Sequence, residues 1–192
     1  MDNQNEEAAI REIKDDKGNL LRSISLKNGV PDGETKVFDG EGRLACRLTY
    51  AAGELSGPAE FFSAGSMLMS ASFKNGKLEG EALLFSNGLK VGLANFKNGL
   101  FDGNFTSFDN HGNVIRIASY VEGKQNGDCK SFYSDGSLME ESVYKNNLPD
   151  GEVIKYFPSG NVMEVSEFCE GKPCGFIDTY DEDGNLKSRK EA

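Results

Sequence analysis

His111 is the only histidine among 192 residues, and it sits in the turn-like tetrapeptide "DNHG". A nucleophilic triad or a metal centre needs partners converging on such a side chain, and a lone histidine in a turn is ordinarily solvated. "DEDG", residues 181–184, places three carboxylates beside a glycine. A calcium loop needs further oxygen ligands at fixed positions, and these are missing, so the segment reads as a solvated acidic turn. In "ELSGPAEFFSAG", residues 54–65, serine lies near glycine without the spacing of a nucleophile elbow. No glycine-rich segment opens a helix to cradle phosphate. The four cysteines are Cys46, Cys129, Cys169 and Cys174, and none forms the Cys-x-x-Cys pair of a zinc site. Cys46 and Cys129 fall in predicted strands and read as small buried hydrophobes. Cys169 and Cys174 flank "EGKP" and could face each other across a hairpin as a labile disulfide. The expectation is a chain that is not an enzyme, with no catalytic residue, no cofactor and no metal.

Charge narrows the partners. The chain carries 31 acidic and 21 basic side chains, a formal net charge of −10, and its longest basic run is the short "KSRK" at 187–190. Nucleic acid and anionic lipid are bound mainly by neutralising phosphate, so this balance argues against nucleic acid and disfavours membrane contact. The N-terminal "MDNQNEEAAIREIKDD" lacks the basic and apolar regions of a secretory signal, and no apolar stretch is long enough to span a bilayer as a helix. A cytoplasmic protein is expected, with the prior removal of a signal or lipoprotein leader left open.

The residues that might do chemistry are held in an internal period. There are 23 glycines in 192 residues, well above the roughly 7% that is usual. Most fall in three columns, each advancing by 23 or 24 residues. The first runs Gly29, Gly53, Gly76, Gly99, Gly123 and Gly171, with Asn147 in the remaining slot. The second follows four residues later, from Gly33 to Gly175, and the third runs from Gly18 to Gly184. Two further columns, Phe38 to Tyr180 and Leu26 to Phe168, are aromatic at 13 of their 14 positions. A fixed period of this length marks a repeat architecture.

Asn-Gly between apolar runs is the strongest short hairpin signal, and Asn147 in a glycine slot implies a backbone that needs positive φ. Each repeat is therefore read as two short antiparallel strands and two turns, giving about fifteen strands in about seven repeats. Along the strand after the third glycine, the second, sixth and eighth positions are expected to share an apolar face; Leu44, Leu48 and Tyr50 are one such set. The seventh, for example Ser25, Thr49 and Ser119, faces the other way. Helix is expected only as a short N-terminal turn around residues 5–13. The expected organisation is a polar segment over 1–12, the repeats over 13–187 and a tail over 188–192.

An aromatic followed by "KNG", then Gly, a second aromatic, "DG" or "NG" and an apolar strand resembles the MORN repeat (membrane occupation and recognition nexus). The likeness is to the bacterial variant, which lacks tryptophan as this chain does, and it covers roughly residues 13–187. It implies an all-β fold, an elongated antiparallel single sheet of β-hairpin repeats. The family includes YwqK-like proteins grouped as antitoxins and others linked with scaffolding, membrane contact and protein interaction. It supplies no shared catalytic residue.

One pattern exceeds what a half-exposed sheet requires. The third position after the third glycine is Leu21, Ala45, Leu68, Val91, Ile115, Met139 and Met163, and the fifth adds Leu93, Ile117 and Val165. A solvated second face would be polar there. Sheet curvature, a bulge, self-association or a partner could cover these side chains. The candidate partner-binding residues are Leu68, Val91, Leu93, Ile115, Ile117, Met139 and Met163. The expected function is non-catalytic binding of a partner protein, of an antitoxin or immunity type whose partner could be a toxin. The alternative is a structural scaffold or membrane-associated protein that self-assembles.

Overall fold

Repeated Asn-Gly reversals between alternating apolar segments leave each strand one near neighbour, the strand just made. The computed structural model describes residues 7–192, and among them are eighteen strands and no helix. The chain divides into two compact units, the first holding residues up to Leu89 with Phe96–Gly99, the second Lys90–Asn95 with Leu100–Ala192. The first unit contains β1 (Ala8–Lys14), β2 (Leu20–Lys27), β3 (Val30–Phe38), β4 (Leu44–Ala51), β5 (Glu54–Ser63), β6 (Ser66–Lys74), β7 (Lys77–Leu78) and β8 (Gly80–Ser86). After β9 (Leu89–Lys97), the second holds β10 (Leu100–Phe101), β11 (Gly103–Phe108), β12 (Val114–Val121), β13 (Lys124–Phe132) and β14 (Leu138–Lys145). It continues through β15 (Leu148–Tyr156), β16 (Val162–Cys169), β17 (Lys172–Tyr180) and β18 (Leu186–Glu191).

Within each unit successive strands pair antiparallel, as in β3–β4, β5–β6, β13–β14 and β16–β17. The fold is all-β, an open antiparallel sheet of hairpins, as the period implies. Two of the strands beyond the expected number arise where one pass of the chain is interrupted, at Glu79 between β7 and β8 and at Asp102 between β10 and β11. Each interruption precedes a glycine of positive φ, Gly80 at 80° and Gly103 at 107°.

The N-terminal helical turn is a correction. Ala8–Lys14 is strand β1, in register with β2 from Ala8↔Lys27 to Lys14↔Leu20, while Asn5 and Glu6 lie outside the described residues. The open backbone edge of β2 offers a ladder that outweighs the helix propensity of "EEAA". Pairing also runs across both expected segment boundaries, within β1 at 12/13 and within β18 at 187/188.

Bulges at fixed places decide which side chains share a face. Phe38 pairs with Leu44, but Val37 pairs with Cys46, so Ala45 is an extra residue opposite no partner of its own. The same shift leaves Leu21, Leu68, Ile115, Met139 and Met163 unpaired between their neighbours. An inserted residue resets the two-residue alternation. Val37 and Phe38 point to opposite faces, so their partners Cys46 and Leu44 do as well. The expected single face of second, sixth and eighth positions is therefore corrected: the second position lies opposite the sixth and eighth, and the two aromatic columns occupy opposite faces. We call the face of the sixth and eighth positions the inner face and the other the outer face.

The buried core lies along the inner face and is built from small side chains. Ala59 pairs with Ala71, and Ala118 with both Phe105 and Cys129. Ala59, Ala71, Ala82, Ala94, Ala118, Cys129 and Val153 are buried, with Thr35, Ser142 and Ser166 on the same alternation. No large side chain is fully buried among the described residues. Rings flank this column, as Phe61 against Phe73 at 6.4 Å and Phe101 against Tyr120 at 5.4 Å show. Small residues let the rings approach, and the aromatic area removed from water supplies the apolar burial.

Candidate binding surface

The turns that present this surface are held repeat to repeat. From the second turn on, the first-column N–H donates to a carbonyl one repeat earlier, as in Gly53 to Pro31 (2.7 Å), Gly76 to Leu55 (2.8 Å), Gly123 to Phe101 (2.8 Å) and Gly171 to Pro149 (2.8 Å). Asn147 does the same to Gln125 at 2.9 Å, with φ 72°, as its place in a glycine column implies. In four repeats the residue before the second glycine adds a carboxylate clamp on the next turn. Asp32 accepts from Ala52 N–H (3.1 Å), Glu79 from Asn98 (2.9 Å), Asp102 from Glu122 (3.3 Å) and Asp150 from Glu170 (3.2 Å).

His111 and the "DEDG" carboxylates belong to turns. His111 is exposed, and its main-chain N–H donates to Asp109 Oδ1 at 2.8 Å. In "DEDG", the Asp181 carboxylate accepts from Asp183 N–H (3.1 Å) and Asn185 N–H (2.8 Å), which closes the loop on itself. Asp181 is held below its ordinary value chiefly by that Asn185 N–H, Asp39 by the N–H of Arg43 and Asp15 by the Asn19 side chain. The Ser and Gly of residues 54–63 lie in strand β5, with Gly57 at φ 115°. Cys129 is buried and Cys46 half-buried, and burial pushes the Cys46 thiol up. Cys169 and Cys174 are joined by a disulfide across the β16–β17 hairpin.

The candidate binding residues separate into two kinds. Leu93 and Ile117 lie on the outer face in one cross-strand row: Leu93↔Thr106↔Ile117↔Lys130↔Glu141↔Ile154↔Val165↔Asp178↔Arg189. Ile115, Met139 and Met163 occupy the unpaired bulge slots of β12, β14 and β16. They are separated by an intervening strand, so neighbours stand about 10 Å apart at ~4.8 Å per strand. Ile115 is 38% exposed and Met139 37%, whereas Met163, Val91, Leu93 and Ile117 are half-buried. Leu68, 44% exposed, holds the bulge slot of β6 in the first unit.

Charge is distributed along the same outer row. Lys130 meets Glu141 at 3.6 Å, and Arg189 grips Asp178 with Nε and Nη2 at 2.7 and 2.6 Å. The Tyr156 hydroxyl also donates to Glu141, and that bond pushes its pKa up to about 12. An outer groove of roughly 220 Å³ is lined by Asp128, Lys130, Glu141, Val143, Glu152 and Ile154. The sequence reading missed Ile154 and Val143. Ile154 lies on the strand after the hairpin turn, where the apolar pattern was not followed, and Val143 occupies a seventh position that is Ser, Thr or Asn in five other repeats. This surface can bury apolar side chains between charged rims, and such an arrangement suits a protein partner.

No curated protein matches the chain. The period, the hairpins and the glycine turns make the chain an all-β repeat protein, and within it residues 125–146 and 149–170 each match the family model of the MORN repeat variant, to which these two adjacent repeats are similar.

Proposed function

We propose that this chain is a non-catalytic protein-binding repeat protein of the antitoxin or immunity type, which occludes one partner protein with the outer face of its second unit. The observation that carries the reading is the exposure of Ile115, two residues before Ile117 of the outer row, and of Met139, two residues before Glu141 of the same row, in a protein whose own core is made of small residues. More than a third of each residue stays exposed, and burying that part against a partner would remove apolar area from water. A net charge of −10 favours a neutral or basic partner, steered by rim carboxylates such as Glu141 and Glu152.

The test is affinity capture from the source cell with wild type and the Ile115→Asp, Ile117→Asp variant. The variant is expected to keep its β-sheet circular dichroism and lose a partner that wild type retains. A folded variant that retains the same partner, or a wild type that retains none, contradicts the assignment.

A second reading, a self-assembling scaffold, is favoured by β18, which among the described residues is paired along one edge, with β17. An open edge of that kind can take another strand. Light scattering that grows with concentration supports it, and a strictly monomeric chain counts against it.

A further inference from the structure

In the β16–β17 hairpin the slot that carries a turn-clamping carboxylate in four earlier repeats is Cys174. Its cross-strand partner is Glu167, and Cys169 lies two residues beyond Glu167 on β16. Alternation therefore puts Glu167, Cys169 and Cys174 on one face. A carboxylate oxygen and the two sulfurs all lie within 4.8 Å of one another, and Cys169 and Glu167 are exposed. On its other side Glu167 stands directly opposite Glu152, and neither forms an ion pair among the described residues. Like charges so placed repel.

We propose that the reduced hairpin is a binding site for a thiophilic divalent cation of the zinc class, with Cys169, Cys174 and Glu167 as ligands, and that the Cys169–Cys174 disulfide is its closed, metal-free state. Two sulfurs, a carboxylate and one water complete a four-coordinate zinc shell. Zinc–sulfur bonds of ~2.3 Å in tetrahedral geometry separate the sulfurs by about 3.8 Å, and side-chain rotation opens them to that distance from Cα atoms 5.9 Å apart. The hairpin does not depend on the disulfide for its shape. Cys169 pairs with Lys172, the Gly171 N–H donates to Pro149 (2.8 Å) and the Glu170 N–H to Asp150 (3.2 Å). The cation also offsets the repulsion between Glu152 and Glu167.

The two states interconvert by exchange with a low-molecular-weight disulfide. One cysteine thiolate attacks a sulfur of that disulfide, forming a mixed disulfide and releasing one small thiolate. The second cysteine thiolate attacks the mixed disulfide, forming the Cys169–Cys174 bond and releasing the other. Two protein thiolates are oxidised, one small disulfide is reduced to two thiolates, and the cation leaves because its sulfur ligands are no longer anionic.

The test titrates zinc alone into the reduced full-length chain against a chromophoric chelator, with cobalt(II) as a spectroscopic substitute. One zinc per chain is expected, with a thiolate-to-cobalt charge-transfer band and release of the zinc on adding oxidised glutathione. Cys169→Ser and Cys174→Ser should each abolish the band, Glu167→Gln should weaken binding at least tenfold, and Cys46→Ser should change nothing. Oxidised wild type, folded and unable to bind, is the reference against which circular dichroism of each variant is read. Absence of zinc binding by the reduced chain, a disulfide that forms without any metal-binding state, or binding that survives Cys169→Ser overturns the proposal. Undiminished affinity in Glu167→Gln overturns the three-ligand site.

Discussion

Asn147 at φ 72° shows what the turn columns ask of a residue: a left-handed backbone, which glycine adopts freely and asparagine tolerates. The demand is stricter at the second column. At Gly57, φ is 115° and an added Cβ would come 3.1 Å from Thr49 Cγ2. Gly57→Ala is therefore expected to cost about 1–3 kcal/mol, read as a lowered urea midpoint at unchanged slope. Asn147→Gly keeps the left-handed backbone but removes the Asn147 Oδ1 that accepts from the Gln125 N–H at 2.7 Å, so it should cost about 1 kcal/mol. At the same scale, folding lowers the pKa of Asp39 through the Arg43 N–H and of Asp181 through the Asn185 N–H. A carboxylate with a depressed folded pKa stabilises the fold above its unfolded value, near ~3.9, and that stabilisation is lost as pH falls through the folded pKa. The urea midpoint should thus drop below about pH 4, with NMR titrations of Asp39 and Asp181 centred below the ordinary aspartate value of ~3.9. Titration centred above it would contradict the turn geometry.

Strands and turns were legible because glycine, asparagine and the rings carry the period in their identities. Facing was legible only between bulges. The extra residue carries no mark in the sequence, since Ala45, Leu68 and Ile115 look like ordinary strand positions, yet each shifts the register of its own strand, and the shift at Ala45 puts Leu44 and Leu48 on opposite faces. That is why the candidate patch separates into an alternating pair, Leu93 and Ile117, and a set of bulge residues. The outer row was only half visible for a related reason: Thr106, Lys130 and Ile154 come from strands whose sequences vary between repeats. On the inner face the element-scale claim is that small residues set ring spacing. Ala118, 2% exposed between Phe105 and Cys129, has no room for a larger side chain. Ala118→Leu should destabilise by about 1–3 kcal/mol, and a variant of unchanged thermal midpoint would show that this column is not packed as described.

At the scale of the whole molecule, each unit packs a core of small residues beneath rings and leaves large apolar side chains outside. Those residues and the acidic balance support a binding role for the outer face. The most direct measurement compares partner affinity for Ile117→Asp on that face with Glu140→Gln, a half-buried residue on the inner face lining a groove with Tyr144 and Phe168. Both should remain folded. Binding is expected to weaken at least tenfold, about 1.4 kcal/mol, for Ile117→Asp and to be unchanged for Glu140→Gln. Equal affinity of Ile117→Asp and wild type, or loss of binding confined to Glu140→Gln, would contradict the account.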